Sequence, residues 1–239
     1  MTEHRLLSAE EAGEVESTLR ELRSEWVPRS KGPSGEDAFF TLACSTYLDV
    51  CYSQEPERDY YARYEAGNAV LREHFGDLLE RTRALLAETL GEPVEYAPHL
   101  ALPGFHVWTS DLLPGTRSSP PHFDSQYQAL RWPEAQRADG AISFTLPIAV
   151  PSSGSGLDTW NLEPADYERM ARRGLTDHFD RFKDRKVMTS YRYEPGRLVL
   201  QHGLVLHRIS GSGEGGPDDR RVTFQGHGLR IDGTWRLYW

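Results

Sequence analysis

The chain has few cysteines and no long hydrophobic run. Only two cysteines, Cys44 and Cys51, occur in its 239 residues. They lie in a segment whose pattern predicts a helix, and their spacing places both on one face two turns apart, farther than a disulfide can span. No segment approaches the roughly 18 apolar residues of a membrane span or resembles a secretion signal. We therefore expect core thiols in a reducing compartment and a cytoplasmic protein.

Positive charge is also scarce relative to negative charge. The chain has 27 lysines and arginines against 36 acidic residues, for a net charge of −9. This balance argues against broad electrostatic binding to nucleic acid or to an anionic membrane. The hydrophobic content of 38% and aromatic content of 11% are ordinary for a globular protein with a real core. A single domain over residues 1–239 is the expected organisation.

The first part of the chain has helical patterns. Ser8 and Glu11 have the spacing of a capping box, and apolar residues then recur at helical spacing up to Pro28. A second helix is predicted over about 37–52. A third is predicted over about 59–90, and Gly91 predicts its end. Residues 1–93 are therefore expected to form a helical N-terminal support.

From residue 94 onward the pattern changes to short extended runs separated by Gly, Pro and Ser. Helical spacing returns only over about 163–186, which predicts an insertion that could serve as a lid. The pattern indicates an antiparallel barrel or jelly roll, and we predict an α+β fold whose core over residues 94–239 is a double-stranded β-helix (jelly-roll, cupin-like) with N-terminal helices packed on it. The predicted strands cover residues 104–109, 122–128, 141–150, 156–160, 197–206, 221–229 and 234–238.

The most informative motif is Pro121-His122-Phe123-Asp124. On an extended strand the side chains of His122 and Asp124 point to the same side, so the two can bind one metal ion. His207, which follows a later apolar run, could be the third ligand. Two imidazoles and one carboxylate on one face leave the other coordination positions open, an arrangement that suits Fe(II) that activates O2.

A second His-x-Asp motif competes with the first. His178 and Asp180 lie in a polar stretch with helical spacing. On a helix, residues i and i+2 point in different directions around the axis. We therefore expect His178 and Asp180 to lie on a solvated helix face, and we assign the candidate metal site to His122, Asp124 and His207.

Three segments that include these residues resemble the Fe(II)/2-oxoglutarate-dependent dioxygenases, in particular the prolyl-hydroxylase-like and phytanoyl-type hydroxylases. The resemblance covers roughly residues 94–230, and the order and spacing of the segments agree with the family. It rests on Leu113-Pro114-Gly115 before Pro121-His122-Phe123-Asp124, on Ala141 to Ile148 followed by Gly154-Ser155-Gly156, and on Pro195 to Leu200 followed by Leu206 to Ser210.

The resemblance implies that His122, Asp124 and His207 hold Fe(II). It also implies that an arginine beyond His207 binds the far carboxylate of 2-oxoglutarate, often with a hydroxyl residue two positions later. His202 and His227 are less suitable as the third ligand, because the first comes too early and the second lies beyond that arginine.

Arg220 and Arg221 are both candidates for this arginine. In a strand, alternation places Arg221, Thr223, Gln225 and His227 on one face, with Val222 and Phe224 packed against helices on the other. We therefore predict that Arg221 and Thr223 bind 2-oxoglutarate, since a guanidinium can donate two parallel charge-assisted hydrogen bonds to a carboxylate. The interval from His207 is longer than is common in the family, so Arg220 remains an alternative.

The activity that the resemblance implies is hydroxylation of an unactivated C–H bond of a small molecule, such as an amino acid or a secondary metabolite, with O2 as co-substrate. A cupin-like metalloenzyme with non-oxidative chemistry, a peptidyl hydroxylase and a non-catalytic barrel are the alternatives. Arg117 and Arg131 flank the metal motif and are either substrate ligands or surface residues. His106 and Trp108 either lie near the cofactor or pack in the core.

Overall fold

The computed structural model describes residues 1–113, 120–210 and 216–239. Within these ranges it has the helices α1 (Ala9–Glu21), α2 (Tyr64–Leu90), α3 (Pro164–Ala171) and α4 (Phe179–Lys183). The strands are β1 (Thr2–Arg5), β2 (Val27–Lys31), β3 (Asp37–Leu42), β4 (Val94–Tyr96), β5 (Gly104–Thr109), β6 (Gly140–Ala149), β7 (Gly156–Trp160), β8 (Met188–Arg192), β9 (Arg197–His202), β10 (His207–Ser210), β11 (Arg220–Ile231) and β12 (Thr234–Tyr238). None of the helices in the described ranges has the length and hydrophobicity needed to cross a bilayer.

The strands form two sheets. The larger sheet has nine strands in the order β1-β9-β6-β11-β5-β3-β2, with β12 paired to β11 and β4 paired to β12. Its pairs are antiparallel except for β12 with β4. The smaller sheet has the antiparallel order β10-β7-β8. The predicted combination of helices with antiparallel sheet is confirmed.

The two faces of the larger sheet differ in chemistry, as the alternation along β11 predicts. Val222 and Phe224 belong to the main apolar core, where buried side chains of the sheet pack against α1 and α2. The other face is polar and includes Arg221, Thr223 and His227, all at most 7% exposed. Helices therefore cover the apolar face, and the buried polar face carries the candidate site residues.

The N-terminal segment is less helical than predicted. The capping box is present, since Glu11 N donates to Ser8 Oγ at 3.1 Å and Ser8 N donates to Glu11 Oε2 at 2.6 Å. Gly91 ends α2 in the left-handed region, at φ 68°. The predicted helix over 37–52 is wrong, because residues 37–42 form β3 in the larger sheet. A short buried strand cannot be distinguished from a buried helix by periodicity alone.

The two cysteines do not share a helix. Cys44 follows β3 and is buried, whereas Cys51 ends a π-helical turn over Tyr47–Cys51 and is exposed. Both are free thiols, but the prediction that Cys51 is a core residue is wrong. The prediction that both cysteines are buried depended on a helix over 37–52. Strand β3 takes the place of the first part of that helix, so the predicted spacing does not apply.

The prediction is more accurate after residue 94. Strands β5, β7 and β12 have the predicted bounds. Residues 122–128 are not a strand, however, since they contribute a single bridge at His122 followed by a 3-10 helix over Gln126–Ala129. Strand β9 ends at His202, earlier than predicted, and β8 is absent from the prediction.

The insertion over 163–186 is helical, as expected, and consists of α3, α4 and a 3-10 helix over Thr176–His178. Phe179 and Phe182 pack against a small cluster that contains Trp160. Trp160 ends β7, and its neighbour Thr159 pairs with His207. Because side chains alternate along a strand, the insertion covers the face of the smaller sheet opposite to the His207 side chain.

Candidate metal centre

Backbone pairing brings the two candidate histidine ligands together. His122 N donates to His207 O at 2.8 Å, and His207 N donates to His122 O at 3.0 Å. The two imidazole rings lie with centroids 4.5 Å apart. Residues that are eighty-five positions apart in the sequence thus lie side by side on adjacent extended segments.

Each imidazole is oriented by a backbone carbonyl. His122 Nδ1 lies 3.0 Å from Pro120 O, and His207 Nδ1 lies 2.8 Å from Val205 O. Since a carbonyl oxygen only accepts, each Nδ1 carries a proton, and in the neutral ring the lone pair of each Nε2 is available to a metal ion. His122 Nε2 lies 3.9 Å from Asp124 Oδ1 and His207 Nε2 lies 3.4 Å from Asp124 Oδ2.

The electrostatics favour an ionised carboxylate. Burial of Asp124 opposes its ionisation, but the neighbouring imidazoles, with His207 the strongest, and a hydrogen bond from Ser143 outweigh burial and lower its pKa. The side chain of Asp124 is 10% exposed, whereas that of His122 is 48% exposed. The group is therefore open to solvent on the His122 side.

These three side chains could hold a metal ion. One ligand atom of each lies within 4.8 Å of the others. Two imidazole nitrogens and one carboxylate oxygen on one side of an ion leave positions for further ligands, as in non-haem Fe(II) sites. The structure thus brings together the residues that the sequence selected.

Arg221 is a buried cation with no acidic partner among the described residues. It is 2% exposed, and its Nε donates to Ser155 Oγ at 3.0 Å. In the part of the chain that the structure describes, its Nη1 has no hydrogen-bond partner and no carboxylate lies within ion-pair distance. Burial lowers the pKa of Arg221, and the nearby Tyr193 hydroxyl opposes this effect. An uncompensated buried charge is costly, so the position suits an anionic ligand.

Arg220 has a different environment. Its Nε lies 3.4 Å from Glu16 Oε1 on α1, and its side chain is 33% exposed. Thr223, two positions after Arg221, is fully buried on the polar face, where its hydroxyl donates to Gln225 Oε1 at 3.2 Å. The geometry therefore favours Arg221 over Arg220 as the arginine of the site.

Ser155 and Tyr193 both contact Arg221 but are not among the predicted site residues. Ser155 lies in the Gly154-Ser155-Gly156 turn, which the resemblance includes, so a signal for it exists. Tyr193 is buried, with the Arg221 guanidinium 5.7 Å from its ring centroid. No feature of the sequence around Tyr193 indicates this contact.

The alternative histidines fall into two groups. His178 and Asp180 are exposed, which confirms their prediction as a solvated helix face, and His202 is exposed at the end of β9. His227, by contrast, is buried, and its Nδ1 lies 3.6 Å from Asp124 Oδ2. His227 is therefore a close neighbour of the centre, which its position beyond the arginine does not predict.

His106 and Trp108 lie on β5 beside the arginine strand. His106 pairs in register with Thr223 and Trp108 with Arg221. Burial, and then the Arg221 charge, lowers the pKa of His106, whose Nε2 lies 3.2 Å from Tyr47 Oη. The ring of Trp108 is stacked on Phe39, with centroids 3.7 Å apart.

Of the two arginines beside the metal motif, Arg131 lies apart from the site and Arg117 is not described by the structure. Arg131 is 69% exposed and forms an ion pair with Glu57. Its guanidinium also lies 4.9 Å from the ring centroid of Tyr61. These contacts are those of a surface residue. Arg117 lies outside the described residues.

Known proteins resemble this chain in structure but not in sequence. No protein-family profile and no curated protein sequence matches it. Solved structures do match. A structure of an N-substituted L-amino acid dioxygenase from Burkholderia ambifaria AMMD in complex with alpha-KG has a TM-score of 0.53 at 14% identity, over 95% of this chain and 91% of that chain. Another structure of this dioxygenase gives a TM-score of 0.52 at 14% identity with the same coverage.

The epimerase SnoN, solved in complex with Fe3+, alpha ketoglutarate and nogalamycin RO, gives a TM-score of 0.50 at 15% identity. The match covers 93% of this chain and 76% of that chain. At such identity the likeness establishes architecture, which agrees with the sequence resemblance. The chain therefore has the fold of the iron- and 2-oxoglutarate-dependent dioxygenases.

Proposed function

We propose that the protein is an Fe(II)- and 2-oxoglutarate-dependent oxygenase that hydroxylates an unactivated C–H bond of a small molecule. The observation that carries the proposal is the buried Arg221, whose guanidinium has an unpartnered Nη1 and no acidic partner in the described ranges. A metal site alone would not require this charge. A dicarboxylate that reaches from the metal to Arg221 would compensate it.

The described residues fit both groups. His122, Asp124 and His207 would hold Fe(II), and Arg221 with Thr223 would bind the far carboxylate of 2-oxoglutarate. Once bound, iron and 2-oxoglutarate would supply the oxidation of the substrate by O2. The backbone carbonyls of Pro120 and Val205 keep the imidazoles in the neutral tautomer that a metal needs. Burial of Arg221 keeps water from competing for the carboxylate.

The proposal extends to the architecture. We propose a single domain whose two sheets form the double-stranded β-helix, with Leu157 of the smaller sheet packed against Val199 of the larger one. Because the insertion over 163–186 packs on the face of the smaller sheet opposite to the His207 side chain, we propose that it supports this sheet and does not cover the metal centre. An amino acid or secondary metabolite is the proposed substrate class, since one compared structure is an N-substituted L-amino acid dioxygenase and another is an epimerase in complex with nogalamycin RO.

Anaerobic reconstitution tests the proposal. Fe(II) and 2-oxoglutarate together should produce a weak visible charge-transfer band that neither produces alone. Exposure to O2 should release succinate, and a screen of amino acids and metabolites should identify compounds that accelerate release and gain one oxygen atom by mass. His207→Ala should abolish both signals, because two ligands hold the metal poorly. Absence of the band in the wild-type protein would refute the proposal.

The cupin-like alternative predicts a different outcome. A metalloenzyme with non-oxidative chemistry would bind the metal at the same three residues but would not need Arg221. Arg221→Ala should remove the charge-transfer band and succinate release while metal binding persists. Metal binding without any response to 2-oxoglutarate, in both proteins, would favour the alternative.

A further inference from the structure

A chain of hydrogen bonds ends on Asp124 and uses neither of the other candidate ligands. Ser143 Oγ donates to Asp124 Oδ2 at 2.5 Å. His227 Nδ1 lies 3.2 Å from the same Ser143 Oγ, and Gln126 Nε2 lies 2.6 Å from His227 Nε2. Ser143 and His227 are register partners on β6 and β11, at 9% and 7% exposure.

The hydrogen bonds between Gln126, His227, Ser143 and Asp124 all run in one direction, from donor to acceptor towards Asp124. The ionised carboxylate of Asp124 can only accept, so Ser143 donates its single hydroxyl proton to it. Ser143 Oγ must then accept from His227, which places the imidazole proton on Nδ1. The free lone pair on His227 Nε2 accepts from the amide of Gln126. Every bond in the series is satisfied in this direction.

The same contacts exclude His227 as a metal ligand. Its Nδ1 lies 3.6 Å from Asp124 Oδ2, close enough to raise the question. Both ring nitrogens are already engaged, however, one with Ser143 and the other with Gln126. A histidine whose nitrogens both form hydrogen bonds has no lone pair left for an ion.

We propose that Gln126, His227 and Ser143 form a positioning relay that fixes the carboxylate plane of Asp124 and thereby sets the metal affinity of the site. This inference rests on the proposed function. The terminal torsion of aspartate is broad, so packing alone does not hold the carboxylate in one orientation. The hydroxyl of Ser143 does so by a directed hydrogen bond, and His227 holds the hydroxyl.

Titration of the metal-free protein with Co(II) alone, under anaerobic conditions, tests the relay. The dissociation constant and the visible Co(II) spectrum are measured for the wild type and for single variants. Ser143→Ala and His227→Leu should each bind Co(II) about tenfold more weakly or worse, with an altered spectrum. Gln126→Ala, at the solvent end of the relay, should weaken binding by only about threefold.

Conservative variants separate positioning from stability. Ser143→Thr keeps a hydroxyl and His227→Asn keeps an amide donor near the position of Nδ1, so both should recover affinity relative to Ser143→Ala and His227→Leu. Ser45→Ala is the matched control, because Ser45 is also buried but its hydroxyl has no hydrogen-bond partner among the described residues. This control should keep the wild-type Co(II) affinity and spectrum.

The outcomes distinguish the relay from the function on which it rests. Wild-type affinity and spectrum in both Ser143→Ala and His227→Leu would overturn the relay and leave the metal site intact. A wild-type protein that does not bind Co(II) would overturn the metal site and the relay together. If Ser143→Ala does not fold, Gln126→Ala and the pair His227→Asn and His227→Leu decide the question.

Discussion

Replacement of Arg221 by methionine should have opposite effects on the protein without ligand and on its response to 2-oxoglutarate. Methionine occupies a similar volume but carries no charge and no donors. In the ligand-free protein it removes a buried guanidinium whose Nη1 is unpartnered. In the complex it removes the only cation that the proposal assigns to the far carboxylate. A residue with a purely structural role would instead lose stability in both states.

The magnitudes follow from the contacts. An unsatisfied buried donor on a charged group costs about 1–3 kcal/mol, and loss of the Ser155 hydrogen bond costs about 1 kcal/mol. The ligand-free Arg221→Met protein should therefore be between unchanged and about 2 kcal/mol more stable. Removal of one partner of a buried charge pair costs about 3–5 kcal/mol, which weakens 2-oxoglutarate binding by about 150-fold or more.

Thermal unfolding with Fe(II) under anaerobic conditions measures both effects. At a concentration of 100 times the wild-type Kd, 2-oxoglutarate should stabilise the wild type by about 2.7 kcal/mol, which is about 5–10 °C in Tm for a chain of this size. Arg221→Met should gain no more than about 1 °C. Arg220→Met is the control, since its ion pair is with Glu16, and it should keep the full ligand response. A strongly destabilised Arg221→Met protein with an intact ligand response would refute the reasoning.

Three further predictions concern the fold. Phe224→Ala should destabilise the protein by about 3–5 kcal/mol in denaturant titrations, because Phe224 is fully buried with its ring centroid 5.1 Å from that of Phe105. Gly91→Ala should cost about 1 kcal/mol by the same assay, since Gly91 has φ 68°. Hydrogen bonds from Arg81 and Ser8 lower the pKa of Glu11 from 4.5 to about 2. The depressed pKa stabilises the fold above pH 4.5, and this contribution is lost as the pH falls towards 2. Glu11→Gln should therefore lose less stability than the wild type between pH 4.5 and pH 2; equal losses in the two proteins would contradict the assignment.

The fold could be predicted where local signals are strong. Strands β5, β7 and β12 are short extended runs that each begin at or directly after a glycine, and their limits agree with the prediction. Strand β3 was assigned to a helix because its buried residues lack the alternation of a half-exposed strand. Strand β8 was missed for the opposite reason, since four of its five residues are exposed and carry no apolar pattern.

Some residues of the site could likewise be predicted from local patterns, and others could not. The His-x-Asp motif, the distal histidine and the alternation along β11 are local patterns, so the sequence selects the residues that carry them. Ser143, Ser155 and Tyr193 reach the site through cross-strand register or loop contacts. Such contacts depend on which strands pair and at which residue, and periodicity within one strand contains no information on either.

The separation of the two candidate histidine ligands shows why register decides the site. His122 and His207 exchange a pair of backbone hydrogen bonds, so the spacing of adjacent extended segments, about 4.8 Å, sets the distance between their backbones. A shift of one residue would turn the partner side chain to the opposite face, and Leu206 or Arg208 would then stand beside His122. The amino-acid types therefore determine which side chains are able to bind a metal. Only the pairing of His122 with His207 makes them face the same carboxylate.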